Sequence, residues 1–446
     1  MTKSRALQPT GNITIWISLG ILTFAGIAWL GFDLAMGNVG CRVLWGLVAP
    51  YCGQKTGIAM AICLFVVPFA VYLAIKRPWI FPVALYAFLV PSDSYLNLTS
   101  AGSITKLAGI LATGAIVLYL ARNRRFVRPG VSTVIWLAYL TYSSITLFWA
   151  YNVDNSTLQL WTTFIQLVLF YVIISSAQID EDDFRLLLFA FIVGCMGASL
   201  FGAHAFAQGG NHIVNQGRLK AKFGGDNKLQ SDVFSASLVF PIGIVVMNAL
   251  RTRWSLKKIG YMGAFGVLLI GQFVVGSRGG FLADGVTMLY YFWKSRYKAQ
   301  LTTVAVTALL FSFIYPNALW ARFFSPEKSA GGSGRAEIWK VGLAAWKHYW
   351  LLGAGFANFP DVYNQYYLLV WNAFAANWSR APHNIILEAA VEIGVFGVFL
   401  LLMGWWTTFR SLRHISKHSR LYDFRVTLEG GVLGTFVAAI FVFIIF

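Results

Sequence analysis

Charged side chains are scarce in this sequence. Only 12% of its 446 residues are charged, whereas 58% are hydrophobic. A soluble globular domain carries about twice that charged fraction. A chain this apolar cannot keep its surface in contact with water, so a lipid bilayer must be the solvent for most of it. The low charge therefore excludes an ordinary soluble protein.

Acidic residues are fewer than basic residues. The chain has 17 Asp and Glu against 35 Lys and Arg, a formal net charge of +18. In a membrane protein such an excess usually reflects orientation, so no nucleic-acid partner is expected. Equally absent is any cluster of His, Cys and carboxylate residues with metal-ligand spacing. We therefore expect no metal and no other cofactor.

Long apolar runs are abundant instead. A helix that crosses a bilayer needs roughly 20 largely apolar residues. The pattern predicts an all-α polytopic membrane protein with about 12 or 13 transmembrane helices. The short runs 79–91 and 280–293 borrow flanking residues or form broken helices. The predicted spans are 13–32, 57–75, 79–91, 104–121, 131–149, 157–175, 184–206, 231–249, 256–275, 280–293, 301–315, 384–407 and 426–446.

The basic residues predict the orientation of these spans. With the N-terminus in the cytoplasm, most Lys and Arg residues fall in inner connections, as the positive-inside rule requires. Three regions follow: residues 1–315 with transmembrane helices 1–11 and short loops, a large external loop at 316–383, and C-terminal transmembrane helices at 384–446.

Cys41 and Cys52 share the first external loop, where they form either a disulfide or two free thiols.

Positive charge on the outer side is the first functional indication. It collects in the segments 207–230, 276–280 and 316–383. Any single Lys there is equally explained as part of a solvated loop. As a set, however, these residues oppose the insertion bias and indicate an anionic ligand, such as phosphate, at the membrane surface.

Two arginines are the main candidates for binding that anion. Arg278 lies where an apolar span reaches the outer face, and Gly279 and Gly280 after it allow the backbone to approach a ligand closely. Snorkelling of Arg278 to the interface is the alternative. Arg335 begins a predicted amphipathic helix over 335–350, which Gly353 and Gly355 end and which is expected to lie along the outer leaflet.

His383 is the candidate base. It stands where the long loop meets the next span, it titrates near neutral pH, and it is placed to take a proton from a sugar hydroxyl. Its alternative role is to cap the following helix. Glu388 and Glu392 lie one turn apart in that helix, where carboxylates have a functional or pairing role. The aromatic run 359–378 serves either core packing or sugar stacking.

Together these residues resemble the O-antigen ligase and O-antigen polymerase superfamily of bacterial envelope glycan assembly. The ligase branch carries His, then Asn, Ser or Gln, nine residues, Gly, two residues, and Gly, Thr or Tyr. Here the matching positions are His383, Asn384, Gly394 and Gly397. The resemblance covers roughly residues 130–405. It extends to the runs Ser277-Arg278-Gly279-Gly280, Gly334-Arg335…Trp339 and Arg218…Phe223-Gly224…Asn227.

The resemblance implies a GT-C-like, metal-independent glycosyltransferase in the bacterial inner membrane, with its active site at the periplasmic face. The donor would be a glycan on undecaprenyl pyrophosphate, and the acceptor a sugar hydroxyl of the lipid A-core. Arg278 and Arg335 would hold the pyrophosphate and stabilise the leaving charge, and His383 would activate the acceptor. The expected substrate-binding residues are Arg218, Lys220, Asn384 and Trp339.

Other functions remain open at this point. A polymerase or a protein O-oligosaccharyltransferase of the same superfamily shares most of these motifs, and only the His383–Gly397 spacing favours the ligase. A membrane transporter is the alternative of a different class. Charges at the midplane or interrupted helices in paired repeats would indicate a transporter. Here the ionisable residues concentrate at the outer face, which favours glycan transfer.

Overall fold

A computed structural model describes residues 77–95, 97–98, 102–123, 126–208, 214–215, 218–219, 231–314, 335–371, 380–419 and 421–441. Contacts divide the chain into two compact units, Met1–Phe81 and Pro82–Phe446. The predicted spans 13–32 and 57–75 and the pair Cys41 and Cys52 lie outside the described residues. Cys195, inside a helix, is buried as a free thiol.

The described residues are almost entirely helical. In chain order the helices are α1 (Ile80–Leu89), α2 (Ile104–Asn123), α3 (Val131–Ile145), α4 (Val153–Gln159), α5 (Ile165–Ser175), α6 (Glu181–Gln208), α7 (Ser231–Arg251), α8 (Leu256–Val275), α9 (Arg278–Lys294), α10 (Lys298–Ile314), α11 (Arg335–Tyr349), α12 (Phe359–Trp371), α13 (Ile385–Glu392), α14 (Gly394–Leu412) and α15 (Tyr422–Phe441).

Short irregular elements connect some of these helices. Two 3-10 segments follow α1 and α3, at Val90–Tyr95 and Thr146–Trp149, and a π-helical turn at Leu160–Phe164 joins α4 to α5. Two antiparallel hairpins of two-residue strands complete the described structure. They pair β1 (Asn97–Leu98) with β2 (Gly102–Ser103), and β3 (Val214–Asn215) with β4 (Arg218–Leu219).

Seven of the described helices are long and apolar enough to cross a membrane. They are Ile104–Asn123, Val131–Trp149, Glu181–Ala207, Asp232–Arg251, Leu256–Val275, Gly394–Leu412 and Tyr422–Phe441. Shorter apolar helices occur at Ile80–Asp93, Ile165–Ser175 and Lys298–Phe313. The protein is therefore an all-α, multi-pass membrane protein, as its composition predicts.

Small residues on α15 let three helices pack closely. A Cβ atom at Gly430 would collide with the ring of Tyr291 on α9, and one at Gly431 with the ring of Phe240 on α7. Membrane helices associate through small residues of this kind because lipid provides no hydrophobic drive between them. The helices α7, α9 and α15 thus form a tight group that carries one side of the site described below.

Charged and polar side chains mark the two ends of α7. At its last residue, Arg251 Nη2 donates to the hydroxyl oxygen of Thr427 at 2.7 Å, and Arg251 Nε lies 3.8 Å from a carboxylate oxygen of Asp423. At its first turn, Asp232 pairs with Arg335. A helix of 21 residues is about 31 Å long, so these two groups lie at opposite ends of a helix long enough to cross a membrane.

The predicted span 384–407 is a broken helix. Helix α13 ends at Glu392, and helix α14 begins at Gly394. The φ of Gly394 is 73°, a value that is readily adopted only by glycine. The loop after α11 supplies partners for the backbone groups that the break releases. Ala354 N donates to Val391 O, Gly355 N to Glu392 O, and Val395 N to Trp350 O, at 2.8–2.9 Å. The sequence alone does not reveal the break, because it arises from these long-range hydrogen bonds.

Buried polar side chains fasten this loop on two sides. The carboxylate of Glu392 accepts hydrogen bonds from Ala357 N at 2.8 Å and Phe359 N at 2.9 Å. On the other side, Asn358 Nδ2 donates to Ser156 Oγ at 2.7 Å, and Asn152 N donates to Asn358 Oδ1 at 2.9 Å. Glu392 therefore has a pairing role, and the start of α12 is fixed relative to α4 and α13.

Candidate active site

Arg278 is the first residue of α9, and a tight turn places it there. Helix α8 ends at Gly276, which has a φ of 58°, and Ser277 follows in an extended conformation. Gly280 contributes to helix packing, because a Cβ atom there would collide with Ser235 Oγ on α7. Gly279 lines a cavity beside Arg278. The two glycines therefore differ: only Gly279 is at a position where the backbone can approach a ligand.

That cavity has a volume of about 1140 Å³ and runs along α8, α9 and α10. Its walls are mainly apolar, with Phe273, Leu289 and Leu309 among the lining residues. Arg278 at the start of α9 and Phe292 near its end both line it, and fourteen helical residues span about 21 Å. The cavity is therefore long and apolar, and it begins at a cationic end.

Arg335 and Trp339 line the same cavity from α11. The guanidinium of Arg335 is anchored, since its Nη2 lies 3.1 Å from Asp232 Oδ2. The structure thus brings together two arginines that are distant in the sequence, both at the N-terminal ends of helices, where the helix dipole also favours anions. Asp232 was not predicted, although it is an acidic residue in the first turn of an apolar span.

A second carboxylate also faces the cavity. Asp284 lies on α9, and its Oδ2 accepts a hydrogen bond from Gln272 Nε2 at 2.6 Å. Gln272 Oε1 in turn accepts one from Ser235 Oγ at 2.9 Å. This polar chain links α7, α8 and α9 directly below Arg278. It was not predicted, because only the packing of three helices brings the side chains together.

His383 has an unusual backbone conformation. Its φ is 51°, in the left-handed region, and among the described residues only Ala357 shares that feature without being glycine. Asn384 follows as the N-cap of α13, with its side-chain oxygen accepting from Ile386 N and Leu387 N, both at 3.0 Å. Asn384 therefore caps this helix, and the capping role considered for His383 belongs to its neighbour.

The fold explains three of the four motif positions in the His383–Gly397 pattern. Asn384 caps α13, Gly394 adopts the positive φ at the break, and Gly397 is small because a Cβ atom would collide with the side chain of Ile393. His383 is different, because a left-handed backbone favours glycine over an imidazole. Backbone strain of this kind is concentrated at functional sites, so it makes His383 a candidate for a role other than folding.

Trp339 links the two halves of the site. Its indole Nε1 donates to the carbonyl oxygen of Pro382, the residue before His383, at 3.0 Å. Because Trp339 is one turn after Arg335 on α11, this bond connects the arginine helix to the histidine loop. The structure therefore places Arg278, Arg335 and Trp339 on one cavity and ties His383 to its edge.

The remaining predicted residues are described only in part. Arg218 belongs to β4, which lies beside α6 and α8, and only its backbone is described. Lys220 lies outside the described residues. Among the aromatic residues of α12, Phe359 and Tyr363 are buried against α11 and serve packing. Burial raises the pKa of Tyr363 to about 12, so its phenol stays protonated at neutral pH.

These features define a multi-pass membrane protein with a cationic site at one end of a lipid-sized apolar cavity. Residues 229–402 match the model of a protein family described as O-antigen ligase. Comparison with curated proteins finds no significant match. The segment 229–402 thus matches a domain of the O-antigen ligase and polymerase superfamily, and this match supports a glycosyltransferase-like function in O-antigen processing. The match does not distinguish the ligase branch.

Proposed function

We propose that the protein is an O-antigen ligase that transfers a glycan from undecaprenyl pyrophosphate to a sugar hydroxyl of the lipid A-core. The reaction takes place at the periplasmic face of the bacterial inner membrane, and the N-terminus is cytoplasmic. The cavity carries this proposal: it is apolar along about 21 Å and has two arginines at one end. A polyprenyl chain fits the apolar part, and the pyrophosphate meets the guanidinium groups.

The chemical step requires a base on one side and anion stabilisation on the other. His383 takes the proton of the acceptor hydroxyl, whose oxygen then forms a bond to the anomeric carbon of the glycan. The bond between that carbon and the phosphate oxygen breaks, and the electron pair leaves with undecaprenyl pyrophosphate. Arg278 and Arg335 stabilise the negative charge that develops on the leaving group. No metal takes part in these reaction steps, so EDTA should leave the rate of glycan transfer unchanged.

Two features of the site support the assignment of the base. His383 is held in a strained backbone conformation that folding alone does not require. It is also tied to the cavity through the Trp339–Pro382 hydrogen bond. Nδ1 of His383 is buried, so we assign the resting proton to Nδ1 and the lone pair that accepts the hydroxyl proton to Nε2. Arg218, Lys220 and Asn384 remain predicted contacts to the substrate.

An in vitro transfer assay tests the proposal. Purified protein is given the lipid-linked glycan and two competing acceptors, the lipid A-core and a second lipid-linked repeat unit. Glycosylated lipid A-core identifies a ligase, whereas a lengthened lipid-linked glycan identifies a polymerase. A glycosylated protein acceptor would indicate a protein O-oligosaccharyltransferase. Movement of substrate across the membrane without any new covalent product would indicate a transporter and contradict the proposal.

Topology gives an independent test of the location. A reporter fused at Lys257 or Arg413 should be cytoplasmic, and one at Gly332 should be periplasmic. Arg413 belongs to the charged group at the inner end of α7, where it lies 4.0 Å from Glu429. A cytoplasmic reporter at Gly332 would invert the orientation and place the site on the wrong face for this reaction.

A further inference from the structure

Asp232 is a carboxylate in contact with Arg335, which lines the cationic end of the cavity, so a negative charge is unexpected beside it. We propose that Asp232 is a positioning residue for the transfer: it orients Arg335 in the empty site and competes with the pyrophosphate for that guanidinium. The inference rests on the proposed function, because it assigns a consequence to the role of Arg335. It adds a residue that lies outside the predicted site.

The geometry of the pair is the first observation. Asp232 Oδ2 and Arg335 Nη2 are 3.1 Å apart, and the two side chains are only about one-fifth exposed, 18% and 21% respectively. A fully exposed ion pair contributes little to stability, because water and salt screen the attraction between its charges. Partial burial strengthens the attraction, so this pair holds a defined orientation.

The two partners differ in how firmly the fold holds them. Asp232 is in the first turn of α7, the span with the largest buried share, 67%. Arg335 is the first residue of α11 and carries a long side chain with many rotamers. The guanidinium is a planar group with five N–H donors, so a contact that holds Nη2 against the Asp232 carboxylate restricts the orientations of the whole fork. Asp232 therefore determines the direction in which Arg335 presents its donors.

Asp232 also competes with a bound pyrophosphate, because both are anions that pair with the same guanidinium. Its carboxylate thus weakens the binding of the donor and of the leaving undecaprenyl pyrophosphate. Weaker ground-state binding does not slow an enzyme whose interactions strengthen in the transition state, and it speeds product release. Removing the charge of Asp232 should therefore tighten the binding of the donor and of pyrophosphate and, at the same time, slow turnover.

The test compares Asp232→Asn with the wild type, in transfer and in binding of inorganic pyrophosphate by calorimetry. The Asn side chain keeps the size and the hydrogen-bonding oxygen, so folding is preserved. We expect the donor KM and the pyrophosphate Kd to fall about 5-fold and kcat to fall about 10-fold, changes of roughly 1.0 and 1.4 kcal/mol. Asp232→Glu should restore kcat in part. In an Arg335→Ala background, Asp232→Asn should no longer tighten pyrophosphate binding, because the pair is already broken.

Asp423→Asn is the matched control. Asp423 is also an acidic residue in the first turn of a span, and it lies 3.8 Å from Arg251 and 3.9 Å from Arg296, at the opposite end of α7. Its substitution removes a comparable ion pair without touching the cavity. We expect its KM and pyrophosphate affinity to equal those of the wild type.

The outcomes separate this inference from the proposed function. If the wild type transfers glycan and Asp232→Asn leaves KM, kcat and pyrophosphate affinity unchanged, the inference is wrong and the function stands. A weaker pyrophosphate affinity in Asp232→Asn also overturns it, since the residue would then act only as structural support. If the wild type transfers no glycan but Asp232→Asn tightens pyrophosphate binding through Arg335, the function fails and the anion site stands. A wild type that binds no pyrophosphate rejects the inference.

Discussion

The indole N–H of Trp339 donates to the carbonyl oxygen of Pro382 at 3.0 Å, across 43 residues of sequence. The bond joins the helix that begins at Arg335 to the residue that precedes His383. It connects the arginine that we propose stabilises the leaving charge to the loop of the histidine that we propose takes the proton. We therefore expect the relative placement of these two residues to depend on it.

Trp339→Phe tests this link. The smaller ring still fills the cavity wall, but the hydrogen bond to Pro382 is lost, so His383 is held less firmly. We expect transfer to fall about 10-fold, the equivalent of one hydrogen bond of about 1.4 kcal/mol, with a small change in melting temperature. Trp346→Phe, on the exposed side of the same helix, should leave transfer unchanged. Equal rates for Trp339→Phe and the wild type would show that the bond does not position His383.

His383→Gly separates catalysis from folding. Glycine adopts the left-handed conformation without strain, so we expect the variant to melt at or above the temperature of the wild type. Loss of the base should still lower transfer about 10²–10⁴-fold while donor binding is retained. Ala357→Gly relieves the same kind of backbone strain, at a φ of 62°, and should leave transfer unchanged. Near wild-type transfer by His383→Gly would reject His383 as the base.

Arg278→Lys distinguishes charge from shape at the pyrophosphate site. An ammonium is a point charge and cannot reproduce the two parallel hydrogen bonds of a guanidinium, so Lys should lower transfer nearly as much as Ala does. Arg253→Lys, at an exposed position between α7 and α8, is the control and should have no effect. If Arg278→Lys transferred glycan at the full rate, Arg278 would serve only as a local charge or as a side chain that snorkels to the interface.

Gly280→Ala probes the contact between α9 and α7. The added methyl group would collide with Ser235 Oγ and disturb the chain from Ser235 through Gln272 to Asp284. Overpacking of this kind costs about 1–3 kcal/mol, so the detergent-solubilised variant should melt at a lower temperature. Gly285→Ala is the control on the same helix, because its Cβ atom meets open space. If both variants melted alike, the close approach of α9 to α7 would be incorrect.

The sequence predicts the parts of this protein that depend on local pattern. Apolar runs predict the spans, and the helix that begins at Arg335 ends before Gly353 and Gly355, both of which have a positive φ. The arginine and histidine candidates also follow from local context, since Arg278 and His383 stand at ends of predicted spans and Arg335 begins the predicted amphipathic helix. Hydrophobicity and glycine positions are sufficient for these predictions because neighbouring residues determine them.

Long-range pairing is what the sequence does not reveal. The ion pair between Asp232 and Arg335 joins residues 103 positions apart, and the bond from Asn358 to Ser156 spans 202. The break at Ile393 is equally hidden, because residues 384–407 read as one apolar run. Each of these features depends on which helices become neighbours, a question that one sequence leaves open.

The break between α13 and α14 also affects how the chain enters the membrane during synthesis. Helix α14 alone has 19 residues and is about 28 Å long, close to the thickness of the hydrocarbon layer, and it contains no acidic residue. We infer that α14 can insert without placing Glu388 or Glu392 in lipid, which would cost about 2.5–3.5 kcal/mol for each charge. The segment that carries His383 packs against α11 and α12, so on this inference the proposed active site is completed after its membrane anchor is in place.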